Sequence, residues 1–290
     1  MSYCRWAPSL GKLEGTAEQA WGTKPYVWWK HRREPTCFFG LYDLRDYLAL
    51  AAHRGKAWVL WAGSDIRNLN DGFLFNDGKL KLLSILLKSK FTHWTKFVLS
   101  KAEHWVENDW EKETLESLGI PVSGVCPSFL GRIEKYEVSF KSQARAAAYI
   151  SAGEGRGQEY GFDLTCRAAV RLPWMDFFLY GDHWESSLPN VFCRGRVSKE
   201  IFDKETSTMQ IALSLNDFCG FSEVVARGIL RGHYAVSKVL HPLIPTFQDE
   251  MELIASLNRL RKMILPNIEA REWYLSETNK FPWCYVNQKM

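Results

Sequence analysis

The chain has 290 residues, 46 % hydrophobic and 24 % charged, with a formal net charge of +4; this excludes a disordered chain, leaves room for two domains, and does not by itself imply nucleic acid. Seven cysteines without a C-x-x-C pair argue against a disulfide framework or a zinc site. The start, Met1-Ser2-Tyr3-Cys4-Arg5-Trp6, lacks a signal-peptide pattern, and no apolar run nears the roughly 20 residues that cross a bilayer, so the expectation is a cytoplasmic protein with peripheral membrane contact open to it.

Strands alternate with helices, the pattern that builds parallel sheets. Thr36–Tyr42 is a buried-strand run, and Leu44–His53 a helix with Leu44, Tyr47, Leu48 and Ala51 on one face. Ala57–Ala62 is the next strand, Leu80–Leu87 an apolar helix, Thr95–Leu99 and His104–Val106 short strands. Trp110–Leu118 is a helix ended by Gly119, with another strand near Pro121–Cys126. The Pro/Ser/Gly-containing segment Pro127–Glu134 marks a change of character, which divides the chain into 1–130 and 131–267.

The second half repeats the rhythm. Ala146–Ile150, Phe177–Tyr180, Val191–Cys193, Gln210–Ser214 and Tyr234–Val236 read as strands. Phe162–Ala169, Ser222–Leu230 and Phe247–Ile264 read as helices. The tail, 268–290, is expected to pack back on the first domain.

Two basic regions stand out. Lys79, Lys81, Lys88, Lys90, Lys96 and Lys101 occupy 79–101 without a carboxylate from Gly78 to Ala102, and Trp28-Trp29-Lys30-His31-Arg32-Arg33 mixes indoles with cations. Either could meet phosphates on lipid, nucleic acid or a nucleotide; either could be only a solvated face. The 13 tryptophans suit cores, sugar-stacking walls and interfaces alike, with structural use the default.

Two segments could carry chemistry. Ser151 to Gly161, with Gly153, Gly155, Arg156, Gly157 and Tyr160, follows a strand and precedes a helix. Its glycines let amides approach a phosphate, and Arg156 adds a full positive charge. It lacks the dinucleotide register and the terminal Gly-Lys-Ser/Thr of a P-loop. Asn216 to Gly232 also joins a strand to a helix: Gly220 permits a tight turn, Ser222 can cap, and Val224, Val225 and Ile229 form an apolar face.

In order, these pieces resemble the donor domain of GT-B glycosyltransferases, in particular the retaining group that includes glycogen and sucrose synthases. The likeness runs from about Tyr149 to Pro242. Tyr149-Ile150-Ser151 through Gly161-Phe162-Asp163-Leu164 is similar to the strand, "G-R…K-G" loop and helix. Phe177 to Gly181 is similar to the next strand, and Asn190-Val191-Phe192-Cys193-Arg194-Gly195-Arg196-Val197 to the "N-V-x-F-x-G-x-V" turn. Met209–Leu213 and Gly220-Phe221-Ser222 are similar to the strand and "G-F-G/S" turn before the donor helix. The resemblance implies an α/β protein with two Rossmann-like domains, their parallel sheets facing across a cleft. It implies transfer of a sugar from a nucleotide-sugar donor, with a UDP-sugar the first candidate, to a hydroxyl on a saccharide or lipid-linked saccharide. Phage DNA glucosyltransferases share the architecture, so a hydroxymethylated base in DNA, in a phage-infected host cytoplasm, is the alternative acceptor. A non-catalytic nucleotide-binding protein on the same fold is a further one. No D-x-D is present, and the resemblance implies no metal and no cofactor beyond the co-substrate.

One departure matters. The group's E-x7-E pair straddles this turn, and its positions here read Cys219 and Arg227. A guanidinium cannot accept from ribose hydroxyls but can hold a diphosphate, leaving Glu223 for the ribose. The donor-side candidates are therefore Ser151, Gly153, Arg156, Gly157, Tyr160, Arg196, Gly220, Phe221, Ser222, Glu223 and Arg227. On the acceptor side the loop with Gly63 and Ser64 leads to Asp65, a candidate base. Glu103 to Trp110 offers His104 and Glu107, and resembles the acceptor region of such enzymes.

Overall fold

The computed structural model describes residues 2–13, 16–71, 93–217 and 220–285. The helix expected at Leu80–Leu87 and four of the six lysines (Lys79, Lys81, Lys88, Lys90) lie outside them, as do Phe218 and Cys219. The chain forms two compact units, Met1–Arg132 with Glu277–Met290, and Ile133–Ser276.

The first unit holds a parallel six-stranded sheet in the order β2-β1-β3-β4-β5-β6. Its strands are β1 (Tyr3–Trp6), β2 (Lys24–Pro25), β3 (Thr36–Phe39), β4 (Ala57–Leu60), β5 (Glu103–Val106) and β6 (Val122–Val125). Strand alternation decides which face each residue fills. Phe38, Val59 and Trp61 enter a core with Tyr47, Leu50, Val98, Val106 and Leu115. Cys37, Phe39, Trp58 and Leu60 enter an aromatic one with Trp21, Phe281 and Trp283. Because both faces are covered, β3 and β4 are buried at every position and read as continuous apolar runs. Phe281 stacks on Trp283 with centroids 4.5 Å apart, and Ser2 Oγ donates to the Trp283 carbonyl at 2.8 Å. Trp21, Trp58, Trp61 and Trp283 are thus core residues, not sugar platforms.

Around this sheet run α1 (Thr16–Trp21), α2 (Trp28–His31), α3 (Leu44–Ala52), α4 (Ser64–Asp71), residues 93–99 (α5), α6 (Asp109–Ser117) and α12 (Pro282–Tyr285). Asp43 starts α3 with a capping box shared with Asp46, and Asn108 caps α6 through the Glu111 amide. Thr95–Leu99, expected as a strand, lies in a helix. Thr95, Val98 and Leu99 are buried while Lys96 and Phe97 face solvent, which is helical spacing rather than alternation.

The second unit holds a parallel five-stranded sheet, β11-β10-β7-β8-β9: β7 (Ala147–Ser151), β8 (Asp176–Tyr180), β9 (Val191–Gly195), β10 (Ile211–Ser214) and β11 (Tyr234–Ser237). The chain leaves β7 toward β8 and β9, then returns to the other side of β7 with β10. That reversal is the topological switch of doubly wound folds, outside whose strand carboxyl ends ligands bind. The helices are α7 (Phe162–Arg171), α8 (Lys199–Thr206), α9 (Glu223–Leu230), α10 (Glu250–Leu260) and α11 (Ile268–Glu277). Helix α10 is shorter than the expected Phe247–Ile264, since Asp249 caps it and Phe247 fills the core beneath it. Among the described residues no helix is long and apolar enough to cross a membrane.

Candidate functional site

In the second unit a cavity of about 280 Å³ opens at the carboxyl ends of the strands. It is lined by Ser151 from the end of β7, Tyr180 and Gly181 from β8, and Arg196 just past β9. Lys199 and Phe202 of α8 and Glu223, Val224 and Arg227 of α9 complete the wall. Elements from both sides of the switch therefore converge, as the topology requires. Gly181 makes the close approach possible. Its φ is +91°, and a Cβ there would stand 1.9 Å from the Ala152 carbonyl oxygen. Its amide donates to Gly195 at 2.7 Å, tying the strand ends together.

The cavity is cationic. Arg196 is exposed and only loosely paired, 3.5 Å from Glu154. Arg227 is buried and bonds Glu223 at 2.5 Å and Asp203 at 3.2 Å, with its Nε unpartnered among the described residues. Asp203 also takes Arg231 at 2.7 Å, so one carboxylate holds two guanidiniums in place. Tyr180 donates to Glu205 at 2.7 Å; burial and that carboxylate push its phenol well above the usual range. Beneath the wall, Tyr149 pairs with His233, whose pKa burial and the Arg231 charge pull down to about 3. Helix α9 directs the free amides of its first turn, and the positive end of its dipole, into the same region.

Of the residues singled out from the sequence, Ser151, Arg196, Glu223 and Arg227 meet in this cavity. Gly153, Arg156, Gly157 and Tyr160 do not line it. The Gly155 and Gly157 amides, expected to cradle a phosphate, donate to the Asp182 carboxylate at 2.7 and 2.6 Å. Those two bonds, Gly155 first, hold the Asp182 pKa below the usual carboxylate value. Arg156 is spent on Glu159 and the Tyr160 ring. The glycine-rich turn is therefore fastened to its neighbour loop and not left open for an anion. Gly220 and Phe221 are buried, with Phe221 stacked on Tyr274 at 4.8 Å, so both serve the core. Ser222 occupies the cap position of α9 without a side-chain bond, contrary to the expected cap.

Of the acceptor-side candidates, Asp65, His104 and Glu107 are buried in hydrogen bonds. Asp65 is fully buried and accepts the Leu41, Ala62 and Ile66 amides at 2.9–3.0 Å. It clasps two loops at the ends of β3 and β4, and has no surface for an acceptor. Burial raises its pKa to about 6 against those three donors. His104, 1 % exposed, accepts from the Trp61 indole and bonds the Leu99 carbonyl; burial lowers its pKa to about 4. Glu107 accepts the Ser128 amide at 3.2 Å and is buried. Next to it Glu111 is pushed well above the carboxylate range by burial, then by the Glu107 and Asp65 charges. Ser64 meets the Tyr42 hydroxyl at 3.0 Å, and Gly63 makes its turn at φ +78°. Lys199, Tyr180, Gly181 and Asp203 were missed from the sequence. Lys199, three residues past Arg196, offered the one readable signal.

No protein-family model matches the sequence, and no curated protein does. Solved structures do match. The lipopolysaccharide outer core galactosyltransferase WaaB aligns over 97 % of this chain and 80 % of its own, with a TM-score of 0.60 at 11 % identity. Sucrose-phosphate synthase from Thermosynechococcus elongatus aligns over 88 % and 72 %, with 0.58 at 10 %. HepE from Anabaena, in complex with UDP and glucose, aligns over 97 % and 81 %, with 0.55 at 11 %. The fold is GT-B. The chain spans only 56 % and 54 % of the GtfA/B and TarM chains that it also matches. The two GT-B units thus supply the two parallel sheets expected from the sequence, and the cavity sits at the switch of the later one.

Proposed function

We propose that this chain is a glycosyltransferase whose second unit binds a nucleoside diphosphate sugar, a UDP-sugar first, in the cavity between β7, β8 and α9. The observation that carries the reading is the convergence of Arg196, Lys199 and Arg227 on a helix N-terminus at the switch point of a GT-B sheet. Such a site favours the charge that collects on a departing diphosphate as the bond from the sugar's anomeric carbon to its oxygen breaks. HepE is described with UDP and glucose, and a pneumococcal O-GlcNAc transferase with UDP and GlcNAc, which supports uridine as the first nucleoside to try. The acceptor is a hydroxyl on a saccharide or lipid-linked saccharide. Neither Asp65 nor His104 takes its proton, because both are buried in hydrogen bonds.

Thermal melting with UDP, UDP-glucose and GDP at millimolar concentration tests the donor site. A ligand at 100 times its Kd adds about 2.7 kcal/mol. UDP ligands should raise the melting temperature, and the R196A/K199A variant should lose most of that gain. No rise with any nucleoside diphosphate refutes the assignment.

A non-catalytic nucleotide-binding protein is the second reading. It is favoured by Arg227, which stands where the resemblance places the ribose-holding glutamate. Slow release of free UDP from a UDP-sugar, lost in R227M, refutes that reading; binding without any turnover supports it.

A further inference from the structure

Helix α2 is a single turn at the amino-terminal edge of the six-stranded sheet. His31 fixes it there: its ring stacks on Tyr3 at 4.0 Å, and Nδ1 accepts the Val27 amide at 3.0 Å. With that face spent on the sheet, the other residues of the turn point away. Trp28 and Trp29 are 52 % and 68 % exposed. The Arg32 carbonyl accepts the Arg54 and Gly55 amides at 2.7 and 3.1 Å, which brings the loop before β4 beside the segment before β3. Thr36 pairs with Ala57, so both segments lie on the same edge. Lys30, Arg32 and Arg33 follow the two adjacent exposed indoles in the chain, and the loop that carries Arg54 and Lys56 abuts the Arg32–Arg33 backbone. Glu34 and Glu103, the latter paired to Lys56 at 3.1 Å, are the acids beside them.

We propose that this edge docks on an anionic bilayer, with the Trp28 and Trp29 indoles among the headgroups and the cations on lipid phosphates. An indole with an apolar body and one N–H is at home at the membrane–water interface, and each basic residue near such a surface adds attraction. Duplex DNA would satisfy the cations but makes less use than a headgroup layer of two neighbouring exposed indoles. The position matters as much as the composition. The patch lies at the end of the sheet away from the strand carboxyl ends where α/β sheets take ligands. In this placement the patch tethers the chain to lipid phosphates, one of the partners open to 28–33 from the sequence, and does not present an acceptor base. The proposal stands apart from the donor chemistry, and its test uses no nucleotide.

The full chain is sedimented with vesicles of equal parts phosphatidylcholine and phosphatidylglycerol, and with phosphatidylcholine alone, across a salt series. Binding should need the anionic lipid and fall with salt. W28A/W29A should weaken it about tenfold or more, and K30Q/R33Q about thirtyfold, from about 1 kcal/mol per charge. Both variants alter exposed residues, and unchanged melting curves will confirm that they fold. Several results overturn the proposal: no binding to anionic vesicles, equal binding to neutral ones, or wild-type binding by W28A/W29A. So does a duplex oligonucleotide that displaces the wild type from vesicles while binding W28A/W29A equally well.

Discussion

Replacing Arg227 by methionine removes the charge and keeps the stem, which makes it the sharpest probe of the cavity. Two effects separate cleanly. The first is on stability. Breaking a fully buried ion pair costs about 3–5 kcal/mol, but here neither carboxylate is stranded. Asp203 keeps Arg231 at 2.7 Å, and the Glu223 side chain is 50 % exposed and rehydrates. The cost should fall to about 1–2 kcal/mol, a drop of roughly 3–8 °C in melting temperature. The second effect is on ligand. A charge-assisted bond from Arg227 to a phosphate is worth about 1.5–3 kcal/mol, so Kd for UDP should rise roughly 10- to 100-fold. Calorimetric titration with UDP and with uridine locates the loss: UDP should weaken and uridine should not. If R227M melts earlier yet binds UDP within a factor of two of wild type, Arg227 is a strut for α8 and α9 and the phosphate role is refuted.

Asp65 has a folded pKa of about 6, above its ordinary 3.8. The folded state keeps the proton between those values after the unfolded chain has lost it, so stability falls as pH rises from about 4 to about 6, by up to about 3 kcal/mol. D65N should flatten that slope, while costing about 1–3 kcal/mol because its NH2 group faces an amide donor; identical pH–melting slopes for the two proteins would show the clasp is not titrating. Gly181→Ala should cost about 3 kcal/mol or more through the Ala152 carbonyl, whereas Gly155→Ala, also at positive φ but facing open space, should cost only about 1 kcal/mol; chemical denaturation of the pair checks the contrast. Asp182→Ala should free the Gly155 and Gly157 amides and make the 153–161 turn the first site of limited proteolysis; an unchanged cleavage pattern argues that the clasp is dispensable.

The fold was legible where burial is two-sided. Thr36–Phe39 and Ala57–Leu60 read as strands because every side chain is apolar or small and enclosed. Thr95–Leu99 misled because a stretch of five residues is too short to show a period of its own, and only its neighbours show that Lys96 and Phe97 face out together. The site was half legible. Ser151, Arg196, Glu223 and Arg227 line the cavity, and strand ends and helix starts are marked in sequence by turns and caps. What could not be read is competition for partners. A glycine-rich loop advertises free amides, and nothing near it in sequence says that Asp182, 25 residues past Gly157, already accepts them. Asp65 misled in the same manner: an acid after a strand reads as a base until three amides converge on it.

The charge balance of the cavity carries the donor proposal one step further. Its wall presents Arg196, Lys199 and Arg227 against the single carboxylate of Glu223. A sugar diphosphate diester brings two negative charges, which would meet these cations. Transfer adds negative charge to the leaving diphosphate, and a fixed cationic wall rewards that gain as it develops in the transition state. The same wall must then hold the product more firmly than the donor. Arg196 strengthens the asymmetry, since its exposed 3.5 Å contact with Glu154 is worth little and is given up to a ligand at small cost. UDP should therefore bind tighter than the UDP-sugar it comes from, by about tenfold for one added charge–charge contact. Competition between the two, read by displacement of a fluorescent UDP analogue, decides it; a sugar nucleotide that outcompetes UDP would mean the wall recognises the sugar and not the phosphates.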